Sequence, residues 1–303
     1  MSFPRDGDMV RGLVPVFGTA WCEGFRRFRV EFGEGRRPKQ WHVMRVSETP
    51  EREDPWAAGK VRWDPDRGAK GNLADWDTGL TSYHYGYAPS KRNLIGVFTV
   101  RVVVEDGKGV AVEKRIVVQV ARVIGREMGG IAESSDGKVF LNVQPESTVR
   151  DGVLVGIEPV HPVDNPPIVE LPAAKGLKQV GSVYEFRPPG LELVKPASFR
   201  MHYAEADLRP EAEGAKPLPE DRLGIYACDA GKKTWRRLPS TVLAGENAVH
   251  AELAEVTRDV AFYGLFADVT PPPPPKLSPP AATSGSARIP LAGAFAPHHP
   301  GQA

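Results

Sequence analysis

Apolar residues recur at every second position in run after run of this chain, and that periodicity constrains its fold more than any other feature. Phe28, Val30 and Phe32 alternate with Arg27, Arg29 and Glu31. Phe98, Val100, Val102 and Val104 alternate with Thr99, Arg101 and Val103, and Ile116, Val118 and Val120 repeat the pattern. Side chains of an extended chain point to opposite faces in turn, so such runs are half-buried strands. Between them fall Gly33-Glu34-Gly35, Asp64-Pro65-Asp66-Arg67-Gly68 and Asp106-Gly107-Lys108-Gly109, all rich in turn-forming residues. Asp106-Gly107 between two β-rich runs predicts a hairpin. No stretch carries a convincing 3.6-residue period. Short strands with regular turns predict a sandwich over residues 1–124.

The pattern restarts at Gly129-Gly130. Val139, Leu141 and Val143 alternate after Asp136-Gly137, and Ile157-Glu158-Pro159-Val160 ends a further strand. Gly181 to Arg187, the turn Pro188-Pro189-Gly190 and the run through Lys195-Pro196-Ala197 to Tyr203 predict two strands around a Pro-Gly turn. Leu223-Gly224-Ile225-Tyr226, Asp229 and Trp235 to Ser240 repeat this arrangement in kind, and Ala261 to Ala267 supplies a last strand. Residues 129–268 are thus expected to form a second β-sandwich, joined to the first near 123–128. From 269 to 303 the chain changes character. Pro271 to Pro275 favours extended polyproline II, and the rest lacks a core-forming pattern, so a disordered tail or linker is expected. The expected fold class is all-β: two consecutive immunoglobulin-like sandwiches and a Pro-rich tail.

Composition excludes several functions. Lys+Arg total 39 against 38 for Asp+Glu, a net charge of +1, so no basic excess points to nucleic acid. Arg26-Arg27 and Arg36-Arg37 lie among Glu31 and Glu34, as on a solvated strand face. No window approaches ~20 uninterrupted apolar residues, so no membrane-spanning helix is expected. No apolar export segment follows Met1. The two cysteines, Cys22 and Cys228, fall in different expected domains and read as free thiols.

Two family resemblances follow from particular residues. Asp6-Gly7, Val10-Arg11-Gly12, Phe17 to Ala20, Phe25, Phe28, Val30 to Gly33, Pro38 and Trp41 resemble a bacterial immunoglobulin-like repeat. Leu73, Trp76-Asp77-Thr78, Gly79-Leu80, Gly96 to Arg101 and Asp106-Gly107 extend the likeness, with an insertion from Thr81 to Ile95. Such repeats are spacers or accessory domains of exported bacterial proteins. The second unit looks like the β-sandwich shared by ankyrins, netrin receptors and bacterial surface proteins. In some relatives an adjoining segment cleaves itself at His-Phe-Ser or His-Phe-Thr. Here Glu255 to Val260 lacks the histidine and a hydroxyl after phenylalanine, so cleavage is expected to be lost. The resemblances imply an extracellular or envelope setting with other envelope proteins or glycans as partners; a cytoplasmic protein is the alternative.

The best binding candidate is the insertion's Tyr83, His84, Tyr85 and Tyr87. Tyrosine offers an apolar face and a polar tip to sugars or peptides. The competing reading packs these rings on Trp76 or caps the sandwich. Asp64, Asp66, Asp75 and Asp77 are a weak calcium candidate, since turn chemistry explains Asp-Pro-Asp without metal. The seven histidines fall in no hydrolase or metalloprotease pattern. The chain is therefore expected to need no cofactor and to be no enzyme. It reads as a structural or adhesive accessory segment, with a carbohydrate- or peptide-binding module, or a relic of a self-processing module, as alternatives.

Overall fold

The computed structural model describes residues 1–47, 62–64, 68–79, 94–161, 171–209, 216–256 and 261–270, with the side chains of 62–64 left aside. The fold is all-β, with no α-helix among the described residues. No helix there is long and apolar enough to cross a membrane.

The first sandwich is built from β1 (Met9–Val10), β2 (Leu13–Ala20), β3 (Phe25–Glu34), β4 (His42–Ser47), β5 (Arg62–Asp64), β6 (Gly68–Asp77), β7 (Gly96–Asp106) and β8 (Ala111–Val120). One sheet runs β1-β8-β7-β3-β4 and the other β2-β6-β5. All pairs are antiparallel except β1 beside β8. The alternation read in the sequence decides which side chains enter. Phe28, Val30 and Phe32 of β3 and Phe98, Val100 and Val102 of β7 are buried against Leu73 and Trp76 of β6. The Trp76 ring lies 5.1 Å from Phe32 and meets Phe98 edge-on at 5.7 Å. The opposite face of the same strands is an ion-pair ladder. Arg27 and Arg29 reach Glu105 at 2.6 and 2.5 Å, and Arg101 reaches Glu31 at 2.6 Å. Arg27 and Arg29 of β3 are thus neutralised across the sheet. At the β7–β8 hairpin the Asp106 carboxylate accepts from the Lys108 and Val110 amides, both at 2.8 Å.

The second sandwich comprises β9 (Arg122–Ile124), β10 (Gly130–Glu133), β11 (Val139–Val143), β12 (Val153–Pro159), β13 (Leu177–Arg187), β14 (Leu191–His202), β15 (Leu223–Asp229), β16 (Thr234–Arg237), β17 (Ser240–Leu243), β18 (Ala248–Val256) and β19 (Phe262–Asp268). Its sheets run β10-β11-β14-β18-β17 and β16-β15-β19-β13-β12-β9. Between them Phe186, Phe199 and Tyr263 meet edge-on with centroids 4.8 to 5.4 Å apart. β15 and β19 are buried on both faces. Their apolar runs are continuous rather than alternating, as two-sided burial requires. On the outer face Val183, Tyr226, Cys228, Phe262 and Phe266 form a second apolar layer, covered by Leu171, Ala174, Leu177 and Trp235. The Trp235 indole donates to the Pro172 carbonyl at 2.9 Å and fastens this cover.

The passage between the sandwiches lies earlier than the sequence suggests. Arg122–Ile124 pairs with Val153 to Val155 of β12, and Ile124 is fully buried in the second core. Only Ala121, itself buried, separates β8 from β9. The segment 125–129 is a closed turn, with Gly125 and Gly129 exchanging backbone hydrogen bonds. Val120 and Ile124 are apolar alike, and nothing in their spacing says that they serve different cores.

Candidate functional site

The polar faces of the strand ends meet where the two sandwiches touch. Ile116, Val118 and Val120 of β8 face the first core, which turns Gln119 outward. Val155 and Ile157 of β12 face the second core, which turns Gly156 and Glu158 outward. These outward faces pack on each other. Gln119 is only 3% exposed and Glu158 only 6%. Ser134 bridges Ile157 in parallel, and this brings the next residue, Ser135, beside Glu158.

Glu158 is held from both sides. The Ser135 hydroxyl donates to its Oε2 at 2.8 Å, and the Gln119 amide nitrogen approaches its Oε1 at a long 3.4 Å. The other end of the Gln119 amide, Oε1, is buried with no hydrogen-bond partner. Burial raises the Glu158 carboxyl to about 7, helped by the charge of Asp136 and opposed by Ser135, Gln119 and Arg187. Glycines permit the close approach. A Cβ on Gly156 would stand 2.3 Å from the Gln119 side chain. Gly96 has φ +113°, and a Cβ there would stand 2.7 Å from that of Ser135 and 3.3 Å from the Glu158 carboxylate.

Two cavities open at this joint. One, of about 200 Å³, is lined by Asp6, Arg36, Gln119, Glu158, Glu185 and Arg187 among others. The other, of about 190 Å³, shares Arg36, Val97 and Glu158 and adds Ser135 and His161. Most of the charges are already engaged. Asp6 accepts the Val117 amide at 2.7 Å, and Glu185 pairs with Arg187 at 3.1 Å. Asp136 accepts from the Ser134 hydroxyl at 2.6 Å and the Tyr184 hydroxyl at 2.8 Å. The joint can therefore fix two bodies together and exchange a proton at near-neutral pH.

The residues singled out in the sequence fall elsewhere. Tyr83, His84, Tyr85 and Tyr87 lie outside the described residues, as does Asp66. Asp64 pairs with Gly68 at one end of β6, whereas Asp75 and Asp77 lie near the other end, against Pro15 and Leu13. At ~3.3 Å per residue Asp75 and Asp77 lie roughly 23 and 30 Å along β6 from the Gly68 end, so Asp64 does not join them around one ion. Asp75 instead accepts from Asn72, and Asp77 from the Gly79 amide, both at 2.8 Å. Both cysteines are free thiols. Residues 257–260 of the segment compared with self-cleaving relatives are outside the described residues. Trp76 is a core residue, and Trp41 lies under Arg101 at 3.8 Å. Glu158 and Gln119 left one trace in the sequence: each is a polar residue beside or within a short apolar run, Val153 to Ile157 and Ile116 to Val120, on the face away from its own core.

No protein-family model matches the chain, and no curated protein is detectably similar to it.

Proposed function

We propose that the chain is a non-catalytic positioning module, two sandwiches held at a set angle as an accessory segment of a larger assembly. The observation that supports this reading is the buried polar joint: Gln119, Gly96, Ser135, Gly156 and Glu158 fit so closely that an added methyl at either glycine collides. Loosely strung domains have polar, hydrated contacts and move independently. Here Ala121 is the whole connection, and it too is buried, its amide donating to the Val10 carbonyl at 3.0 Å. The resemblances of the two halves favour a bacterial envelope or secreted assembly, with envelope proteins as neighbours. Nitrogen-15 relaxation of the full chain at about pH 6 tests the reading. One rotational correlation time for both sandwiches is expected. Two distinct times would mean that they tumble separately, and the positioning role would fall.

A further inference from the structure

We propose that protonation of Glu158 closes the joint between the sandwiches and that its ionisation opens it, with Ala121 as the pivot. Four features of the geometry converge on this. The carboxyl stands at the contact itself and touches both bodies, through Gln119 of β8 and Ser135 of the β10–β11 turn. Its one short hydrogen bond comes from its own sandwich, while the bond across the joint is long, 3.4 Å against 2.8 Å. The Gln119 amide has a buried oxygen without a partner. A half-turn of that amide would present the oxygen to a protonated Glu158, giving a neutral O–H···O bond across the joint. An ionised Glu158 has no proton to give, and only the long Nε2 contact remains. Finally, cavities of about 200 and 190 Å³ both border Glu158, each with room for roughly six waters, so a small rotation would hydrate the carboxylate.

The surrounding charges do not remove this sensitivity. From β13, Arg187 favours the carboxylate but is shared with Glu185. From the β10–β11 turn, Asp136 disfavours it. From the first sandwich come Asp6, already engaged by a backbone amide, and Arg36, which lines both cavities. Glu34 and His161 complete the second cavity. Burial raises the carboxyl to about 7, and this puts the change near neutrality. The proton comes from and returns to bulk water.

The proposal concerns how the joint responds to pH. It can fail while the positioning role stands, because the relaxation test is made where Glu158 is protonated. Spin labels at Lys114→Cys and Lys232→Cys, both exposed and one in each sandwich, report the joint in full-length protein carrying Cys22→Ser. Distances are measured from about pH 5.5 to about 8.5. A narrow distribution is expected at the acid end, and a longer or broader one above a midpoint near 7. Glu158→Gln should stay narrow throughout. Gln119→Leu removes the oxygen that accepts from the protonated carboxyl across the joint and should move the midpoint to lower pH. His161→Asn should leave it in place. A distribution unchanged by pH in the parent protein overturns the proposal. So does a transition that survives Glu158→Gln or disappears with His161→Asn. Should Glu158→Gln fail to fold, an unmoved midpoint in Gln119→Leu overturns it alone.

Discussion

Glu158 is a residue whose environment, rather than its type, sets its behaviour. Its ordinary carboxyl value of 4.5 applies to the unfolded chain, and burial raises the folded value to about 7. The folded state therefore binds more protons across that interval, and stability falls as pH rises from about 4.5 to about 7. The loss from this group is on the order of 3 kcal/mol. Denaturant unfolding at a series of pH values should show it, and Glu158→Gln should flatten that part of the curve. An identical curve for the variant would mean that the carboxyl is not shifted. The two joint glycines should respond differently to substitution. At Gly156 an alanine methyl meets the end of the flexible Gln119 side chain, which can turn aside. At Gly96 it meets Ser135 at its Cβ and must also hold φ +113°. Gly96→Ala is expected to cost about 1–3 kcal/mol, more than Gly156→Ala, in the same assay.

Among the elements, β15 and β19 stand out because both their faces are covered. The outer cover depends on Trp235, which packs 4.7 Å from Phe266 and donates to Pro172. Cys228 lies beneath this layer, fully buried, and burial pushes its thiol up to about 11. Both effects make it a poor nucleophile in the native state. Trp235→Ala should open the layer without dismantling the inner core of Phe186, Phe199 and Tyr263. The expected result is a thiol that reacts with an aromatic disulfide reagent far faster than in the parent protein, with the melting transition still cooperative. If Cys228 stays inert in the folded variant, Trp235 is not what shields it. In the first sandwich Trp76 has no such peripheral role. Its ring is fully buried against Phe32 and Phe98, and Trp76→Ala should cost about 3–5 kcal/mol.

For the whole molecule, the place where one sandwich ends has a measurable consequence. Ile124 is buried in the second core, and Arg122–Ile124 is the outermost strand of its larger sheet. A fragment 122–270 should therefore melt well above a fragment 129–270, which lacks both the strand and the Ile124 side chain. Equal melting temperatures would return the boundary to the Gly129 restart. Whether 1–121 melts cooperatively alone is read from the same scan. A core that includes Phe28, Phe32, Leu73, Trp76 and Phe98 is expected to suffice.

The period-2 runs determined the all-β class and most of the strands. Alternation alone placed Phe28, Val30 and Phe32, or Phe98, Val100, Val102 and Val104, on one side of a sheet. Asp106-Gly107 marked a hairpin and Pro188-Pro189-Gly190 a turn, because turn chemistry is local; that the second turn carries the chain from one sheet to the other was decided by the pairing of its strands. Tertiary structure decided what lies on the other side of each strand. Gln119 and Glu158 occupy outward positions, where an isolated sandwich would expose them to water, and a second body covers them instead. Asp64 and Asp75 are close in sequence yet separated by the length of β6, since an extended strand carries its residues apart. Ile124 reads like Val120, and only the pairing of β9 with β12 assigns it to another core. Local sequence sets backbone conformation and the face of each side chain; burial, and with it the charge state of Glu158, depends on which surfaces meet.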